Sequence, residues 1–259
     1  MIPHVPALAQ DAVLLLDVGN SSIVARYYAP DSQTVIQSWK LATESWSLLE
    51  DDPRITHVWI ASVVPDLTAP IAERFSAPVS VVSAMDIPQL SIQLAFPEQV
   101  GVDRLLGALA AHRQFPNRPI LIIDLGTALT ACFVDAHGGY QGGCIFPGIS
   151  VACKSLRDYT AKVPYIPLDQ RPSGILGKRT DDAVRIGVYR GFLHLMNGWI
   201  ADYKAQYKDL CVIGTGTGMR HFEDLIGTES SDHLALDALD LDLVMKGLEC
   251  LATTAHQEV

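Results

Sequence analysis

The apolar positions of this chain form short hydrophobic runs and stretches of helical spacing, and the order of these patterns occurs twice. Short runs rich in β-branched residues predict strands, whereas apolar residues three and four positions apart predict helices. In the first half the pattern predicts strands at 12–17, 22–28, about 34–39, 55–64 and 79–82, and helices at 43–49, 65–75 and 102–115. Thr43 is the expected N-cap of the first helix, and Pro65 fits the first turn of the second.

The polar segment 116–119 breaks the last of these helices and is the predicted domain boundary. Beyond it, the pattern predicts strands that end at Asp124 and that span 129–135, about 140–146 and 210–213, with helices at 149–160, 180–207 and 241–253. Each half thus begins with three hairpin strands and continues with alternating helices and strands. This order favours an α/β fold in which a mixed sheet flanked by helices is made twice. We predict two domains, residues 1–117 and 118–259.

Composition excludes several classes of protein. The chain has 259 residues, 49% hydrophobic and 19% charged, so it can bury a large core. Its formal net charge of -10 argues against nonspecific nucleic-acid binding, which depends on Lys and Arg. No apolar run is long enough to cross a membrane, and no basic segment precedes the first apolar residues, so we expect neither a membrane span nor a signal peptide. Five cysteines without metal-ligand spacing indicate reduced thiols in a cytoplasmic protein.

One short motif occurs in both halves, each time after an apolar strand. The first Asp-x-Gly turn starts at Asp17, and the second starts at Asp124. Glycine allows a tight turn whose backbone N–H groups can approach an anion, and an aspartate can hold a metal ion that contacts phosphate. Asp is also common in ordinary turns, and taken singly that explanation is the better one. Two copies at the same offset favour phosphate binding, with Asn20 and Thr127 as the candidate phosphate donors.

The segment Gly101–Arg104 lies at the start of a predicted helix. An aspartate there stabilises the helix dipole, and this structural role explains most such segments. The same position also suits a proton acceptor, because the helix N-terminus should keep Asp103 ionised while it faces a cleft. Arg104 has the shape to bind a substrate carboxylate with two hydrogen bonds.

Three further segments have both a structural and a functional interpretation. Thr180, followed by two aspartates, is typical of a helix N-cap, although a hydroxyl there can also contact a ligand. The glycines of 142–148 indicate close approach to a ligand or to another chain, and the turn at 214–218 is suited to part of a nucleotide. Neither a Walker motif nor a Rossmann glycine motif is present, which disfavours those two nucleotide folds.

Five blocks in this order resemble type III pantothenate kinase. They are Asp17–Ser21, Gly101–Arg104, Asp124–Thr130, Gly142–Gly148 and Thr180–Gly187, and the resemblance spans about residues 13 to 252. The family belongs to the superfamily of acetate and sugar kinases, Hsp70 and actin. The resemblance implies two RNase H-like domains with ATP bound between them, and a homodimer. It also implies ATP-dependent phosphorylation of pantothenate, the first step toward coenzyme A.

The resemblance further implies a role for each matching residue. The first ATP phosphate loop would consist of Asp17, Val18, Gly19, Asn20, Ser21, Ser22, Ile23 and Val24, and Thr127 would also contact ATP. Pantothenate would be bound by Gly101, Val102, Asp103, Arg104 and Thr180, with Asp103 as the proton acceptor. Asp124 would lie at a site for K⁺ or NH₄⁺, and Asp17 would hold Mg²⁺ directly or through water.

The sequence departs from the family pattern before Gly101. Leu94 stands where family members usually have a tyrosine that contacts pantothenate, and Tyr159 or Tyr165 are candidates to replace it. This departure keeps two alternatives open. One is another kinase or phosphatase of the superfamily, acting on a different hydroxyl or on polyphosphate. The other is a regulatory protein that binds nucleotide without turnover.

Overall fold

The computed structural model of the protein describes Leu8, residues 10–228 and residues 232–257. The chain forms two compact units: the first extends to Arg113 and includes the segment from Leu243 onward, and the second is Gln114–Asp242. The ends of the predicted domains, residues 1–7, 9, 258 and 259, lie outside the described residues.

The first unit is a five-stranded sheet with helices. Its elements are β1 (Ala12–Val18), β2 (Ser22–Ala29), β3 (Thr34–Ala42), β4 (Ile55–Ser62), α1 (Pro65–Ala72), β5 (Val79–Val81), β6 (Ser91–Ile92) and α2 (Val102–Gln114). Short 3-10 helices span Thr43–Leu48, Ala84–Asp86 and Pro97–Gln99. The sheet order is β3-β2-β1-β4-β5, with β1 to β3 antiparallel and β4 and β5 parallel to β1.

The second unit repeats the antiparallel hairpins and the parallel neighbour. Its elements are β7 (Ile120–Leu125), β8 (Ala128–Val134), β9 (Gly139–Pro147), α3 (Ile149–Tyr159), α4 (Thr180–Gln206), β10 (Cys211–Thr215) and β11 (Ala238–Leu239). Two 3-10 helices, Thr217–His221 and Glu223–Leu225, follow β10. The strands lie in the order β11-β10-β7-β8-β9; β7 to β9 are antiparallel, and β10 is parallel to β7.

The last helix, α5 (Leu243–Gln257), belongs to the first unit, whereas the predicted boundary placed it in the second domain. Three interactions explain its position. A side chain at Gly247 would overlap the Leu106 carbonyl, so only glycine lets α5 and α2 approach this closely. On β2, the buried Arg26 forms an ion pair with Glu249, and the Tyr28 hydroxyl is 2.9 Å from the Thr253 hydroxyl. Contacts of this kind join distant parts of the chain, so hydrophobic periodicity does not predict them.

The predicted strands and helices are otherwise confirmed, and so is a mixed sheet flanked by helices made twice. Both predicted caps are wrong. Ala42 and Arg179 occupy the N-cap positions, neither helix has a side-chain cap, and Thr43 and Thr180 are the first residues inside their helices. The two-residue strand β11 is too short for a hydrophobic pattern to predict. In the part of the chain that the structure describes, no helix has both the length and the apolar character of a membrane span.

Candidate active site

The first Asp-x-Gly turn joins β1 to β2 at the carboxyl end of β1. Gly19 donates its amide hydrogen to the Ser22 carbonyl at 3.0 Å, which closes the turn. A side chain on Gly19 would lie only 3.1 Å from that carbonyl oxygen, so a larger residue would require the tight turn to shift slightly. Asn20 and Ser21 are exposed at its tip. Their amides and side chains are therefore the accessible donors of the predicted phosphate loop.

The remaining residues of the predicted loop lie in the two strands. Asp17 is half-buried and is paired with Val24 on one side and with Ala61 on the other. Val18 and Ile23 are completely buried in the core. Only the backbone atoms of Val18 and Ile23 are therefore available to a nucleotide.

Asp103 lies at the same sheet edge as Asp17. The residue after β4, Val63, donates its amide hydrogen to the Val18 carbonyl at 3.0 Å. A side chain built on Gly101 would contact Val63 at 3.5 Å, which places the start of α2 beside this strand end. The structure thus brings the first turn and the Gly101–Arg104 segment together within one unit.

Burial shifts the pKa of Asp103. Desolvation of the half-buried carboxyl raises its pKa, and the Arg104 amide, which donates to Oδ1 at 2.8 Å, and the Arg104 charge only partly oppose this. The expectation that Asp103 is ionised at neutral pH stays a prediction, because the direction of the shift alone does not decide it. A raised pKa brings the carboxylate closer to the basicity that a proton acceptor needs at neutral pH.

The second Asp-x-Gly turn is enclosed by glycines. Asp124 is paired in register with Thr215 of β10, a buried residue, and the chain turns at Gly216 with φ of +84°. A side chain on Gly216 would overlap the Asp124 carboxylate, and one on Gly218 would overlap the Leu125 carbonyl. The glycine-rich segment predicted to support a nucleotide therefore lies directly against Asp124.

Thr127 is exposed at the tip of the second turn, and Gly148 fixes its backbone. Gly148 donates its amide hydrogen to the Thr127 carbonyl at 3.0 Å, and a side chain there would overlap the carbonyls of Gly126 and Thr127. The glycine-rich segment 142–148 was expected to approach a ligand or another chain. At Gly148 the close approach is instead to the turn of its own unit.

Thr180 lies at one end of an apolar groove in the second unit. The groove has a volume of about 690 Å³ and lies between α3 and α4. It is lined by Phe146, Leu156, Val184, Val188, Phe192 and Leu195, among others. Thr180 is exposed there and is the polar side chain of an otherwise apolar lining.

The candidates for the missing tyrosine remain untested predictions. Leu94 is half-buried, and the adjacent Phe96 is 60% exposed. Tyr159 is 89% exposed, whereas the Tyr165 ring lies beneath the Arg157 guanidinium at 5.9 Å. Tyr165 is thus already engaged by a cation, and Tyr159 is accessible.

Metal ligands are few. Within Leu8, 10–228 and 232–257, no group of three or more His, Cys, Asp and Glu side chains is placed to hold a metal ion. A cation at Asp17 or Asp124 therefore needs oxygens from phosphate, backbone or water in addition to the carboxylate. Such ligand sets are normal for Mg²⁺ at phosphate sites.

Two residues contact the turns from other strands and were not among the predicted site residues. Thr43 and Thr215 are both buried polar residues, and each lies beside one of the two turns. Hairpin geometry offers a clue for Thr43, since the third strand of a meander ends next to the turn between the first two. No local pattern identifies Thr215, because its neighbour Asp124 is on a strand 91 residues earlier in the chain.

Comparison of the sequence with protein families gives one match. The family described as type III pantothenate kinase matches residues 13–202. A type III pantothenate kinase of Hyphomonas neptunium is 31% identical over 257 residues, which cover 91% of this chain and 96% of the relative. One of Paramagnetospirillum magneticum is also 31% identical, over 91% of this chain and 95% of the relative.

Comparison with solved structures gives more distant matches. A putative Baf family transcriptional activator of Campylobacter jejuni superimposes with a TM-score of 0.56 at 17% identity, over 95% of this chain and 100% of the other. The activator of 2-hydroxyisocaproyl-CoA dehydratase from Clostridium difficile, solved with ADPNP, has a TM-score of 0.54 at 11% identity, over 95% and 96%. Such low identities show the fold alone. They agree with the predicted α/β fold, in which a mixed sheet flanked by helices is made twice.

Proposed function

The chain belongs to the type III pantothenate kinase family, which phosphorylates pantothenate with ATP in coenzyme A biosynthesis, and from that premise we propose which residues perform each part of the reaction. The observation that carries the proposal is the position of Asp103. Its carboxyl lies at the sheet edge where the first Asp-x-Gly turn is also found, and burial raises its pKa.

Asp103 is the catalytic residue. The primary hydroxyl of pantothenate attacks the γ-phosphorus of ATP, the bond to the β,γ-bridging oxygen breaks, and ADP leaves. Asp103 orients the hydroxyl and accepts its proton. Because the transition state of phosphoryl transfer is loose, a carboxylate is a strong enough base, and orientation contributes most of its effect.

The first turn is the ATP phosphate loop. Asn20 and Ser21 present exposed amides and side chains, and Gly19 leaves room for phosphate oxygens to approach the backbone. In the second unit, the exposed Thr127 hydroxyl contacts ATP. The glycines at 216 and 218 leave the adjacent surface free of side chains.

Two kinds of cation complete the site. Asp17, half-buried at the base of the first turn, would hold Mg²⁺ directly or through water, and the ion would neutralise charge on the phosphates. Asp124 would hold K⁺ or NH₄⁺. Its carboxylate is confined by Gly216 and is paired in register with the buried Thr215, which supports a carboxylate of fixed position at this site.

Pantothenate is bound by the start of α2. Arg104 pairs with the substrate carboxylate, since a guanidinium can form two parallel hydrogen bonds to it. The Gly101 and Val102 backbones line the same segment. Thr180 donates its hydroxyl to the substrate from the edge of the apolar groove.

We also propose a cytoplasmic homodimer formed through α4. The exposed residues Ala183, Gly187, Gly191 and Gly198 follow one another at helical spacing on this helix. No other atom lies within 4 Å of the side-chain positions of these three glycines, so another backbone can approach them closely. Together with the apolar groove beside them, this face suits a second copy of the chain.

The test is ATP-dependent formation of 4′-phosphopantothenate by the purified protein, in K⁺ and in Na⁺. We expect product in K⁺, much less in Na⁺, and a monodisperse dimer by light scattering. The same assay tests glucose, N-acetylmannosamine and polyphosphate as alternative substrates. Turnover of one of these in place of pantothenate contradicts the substrate assignment, and ATP binding without any turnover favours the regulatory alternative.

A further inference from the structure

A buried threonine contacts the first turn from the end of a neighbouring strand. Thr43 directly follows β3, and only 7% of it is exposed. Its hydroxyl donates to the Gly19 carbonyl at 2.6 Å, and its backbone amide donates to the Ser21 carbonyl at 3.3 Å. One residue therefore holds two carbonyls of a turn that is three residues long.

These bonds fix the direction of a peptide group in the turn. The Gly19 carbonyl and the Asn20 amide belong to one planar trans peptide, so they point in opposite directions. Because the carbonyl is held toward Thr43, the Asn20 N–H is directed away from Thr43. The carbonyl oxygens, which would repel a phosphate, are thereby turned inward and satisfied.

The hydroxyl of Thr43 does not cap the 3-10 helix that begins with this residue. The 3-10 helix that starts at Thr43 has Ala42 as its N-cap and no side-chain capping bond. A buried hydroxyl without a partner is unfavourable, and at this position the partner is the turn itself. The hydrogen bond to the Gly19 carbonyl therefore compensates for the burial of the Thr43 hydroxyl.

We propose that Thr43 is a positioning residue for ATP: its hydroxyl holds the Gly19–Asn20 peptide so that the Asn20 amide faces the phosphates. This inference rests on the proposed function of the first turn as the phosphate loop. Thr43 itself does not touch the nucleotide. Without its hydroxyl the Gly19 carbonyl loses this partner and the peptide is held less firmly, so more of the ordering of the turn must be supplied when ATP binds.

The test replaces the hydroxyl by a methyl group of similar size, in Thr43→Val. We expect the KM for ATP and the dissociation constant for ATP, measured by calorimetry, to rise about 10-fold. The KM for pantothenate should stay within about twofold, since the α2 segment is untouched. Thr43→Ser keeps the hydroxyl, and we expect it to restore ATP affinity to within about threefold of the parent protein.

Thr56→Val is the matched control. The Thr56 hydroxyl also donates to a backbone carbonyl of the first unit, that of Ala12 at 3.2 Å, but at the opposite end of the sheet. Its loss should leave ATP affinity unchanged. Equal ATP affinity in Thr43→Val and the parent overturns the proposal, and so does an equal loss in Thr56→Val.

The inference remains testable if the proposed substrate is wrong or if Thr43→Val does not fold. If the parent protein binds ATP but does not phosphorylate pantothenate, the proposed substrate fails, while calorimetry on the same variants still tests Thr43. If Thr43→Val does not fold, Thr43→Cys takes its place, because the thiol is a weaker donor. Unchanged ATP affinity in Thr43→Cys then overturns the role of Thr43.

Discussion

The two Asp-x-Gly turns occupy equivalent places in the two units but have different neighbours. In each unit the turn follows a strand that has an antiparallel partner on one side and a parallel partner on the other. In the first unit, the residue after the parallel strand β4 lies beside Gly101, and Gly101 is close to a second carboxylate, that of Asp103. In the second unit, the parallel strand β10 leads to Gly216, whose backbone lies against Asp124. One duplicated scaffold thus places a second carboxylate, the proposed proton acceptor, beside the turn in one unit and a confined carboxylate in the other.

The comparison predicts that the two aspartates fail in different ways when neutralised. In Asp103→Asn, an amide cannot accept the proton, and we expect kcat to fall about 10²- to 10⁴-fold with little change in K⁺ dependence. In Asp124→Asn, we expect the K⁺ dependence to change most. Steady-state kinetics over a range of K⁺ concentrations measures both.

Asp66→Asn is the control for this pair, because Asp66 is also an acidic residue in the first turn of a helix, α1, and is exposed. We expect it to match the parent protein. Identical behaviour of the Asp103 and Asp124 variants would mean that the two turns do not have separate functions.

The units also differ in how they are completed, since the first needs a helix from the end of the chain. Arg26 of β2 is buried, and its ion pair with Glu249 connects it to α5. In Glu249→Ala a buried guanidinium loses this carboxylate, and we expect a loss of about 3–5 kcal/mol in the free energy of unfolding. Glu249→Gln, which keeps an acceptor oxygen, should lose less.

Urea unfolding followed at separate tryptophans distinguishes the units. Trp39 and Trp59 report on the first unit and Trp199 on the second, when the others are replaced by Phe. A shift of the first unit's transition without one in the second supports the different completion of the two units. Equal shifts would show that they unfold as one body.

The sequence predicts best what depends on local pattern. Apolar runs located the strands on both sides of Asp17 and Asp124, and the repeated motif identified the turns themselves. The prediction of Thr43 and Thr180 as N-caps is wrong. A hydroxyl residue followed by acidic residues fits the N-cap pattern, but the pattern does not show that the helix starts one residue earlier and that Ala42 and Arg179 take the cap positions.

What the sequence could not predict depends on contacts between distant segments. The return of α5 to the first unit requires a glycine at 247 to meet the Leu106 carbonyl. The pKa of Asp103 depends on burial, which outweighs the helix N-terminus that sequence alone suggests. The position of Gly216 against Asp124 likewise appears only when β10 is placed beside β7.

Alanine substitutions at two glycines test whether the confinement of the Asp124 carboxylate by Gly216 affects the K⁺ dependence of activity. Gly216 and Gly227 both have positive φ, +84° and +70°, so alanine strains the backbone similarly at each. At Gly216 the added carbon would overlap the Asp124 carboxylate, whereas at Gly227 no atom of the described residues lies within 4 Å of it. We expect Gly216→Ala to raise the K⁺ concentration for half-maximal activity roughly tenfold.

Gly227→Ala should lower stability to a similar degree and leave the K⁺ dependence unchanged. The measurement is activity against K⁺ at saturating ATP and pantothenate. If both variants shift the K⁺ dependence equally, backbone strain rather than displacement of the carboxylate is the cause.

The smallest expected effect concerns the pKa values of two aspartates: Asp103, the proposed proton acceptor in the first unit, and Asp135, in a hairpin turn of the second unit. Burial raises the pKa of Asp103. Burial also acts to raise the pKa of Asp135, but hydrogen bonds from Gly139, Gln141 and His137 outweigh it and the pKa is lowered. The two carboxylates should therefore affect stability with opposite signs at neutral pH.

A raised pKa means that the stability contributed by the protonated form is complete below the ordinary aspartate pKa of about 3.9 and is lost as the pH rises through the raised value. Asp103→Asn should thus increase Tm at pH 7, by about 1–3 °C, and the gain should vanish in acid. A lowered pKa has the reverse effect, so Asp135→Asn should decrease Tm at pH 7, and this loss should also vanish as the pH falls through the lowered value. Calorimetry from pH 3 to pH 8 measures both differences. A lower Tm for Asp103→Asn at pH 7 would show that the ionised Asp103 carboxylate is stabilised in the folded protein. The pKa values of Asp103 and Asp135 would then be shifted in the same direction, and the contrast between the two units would be lost.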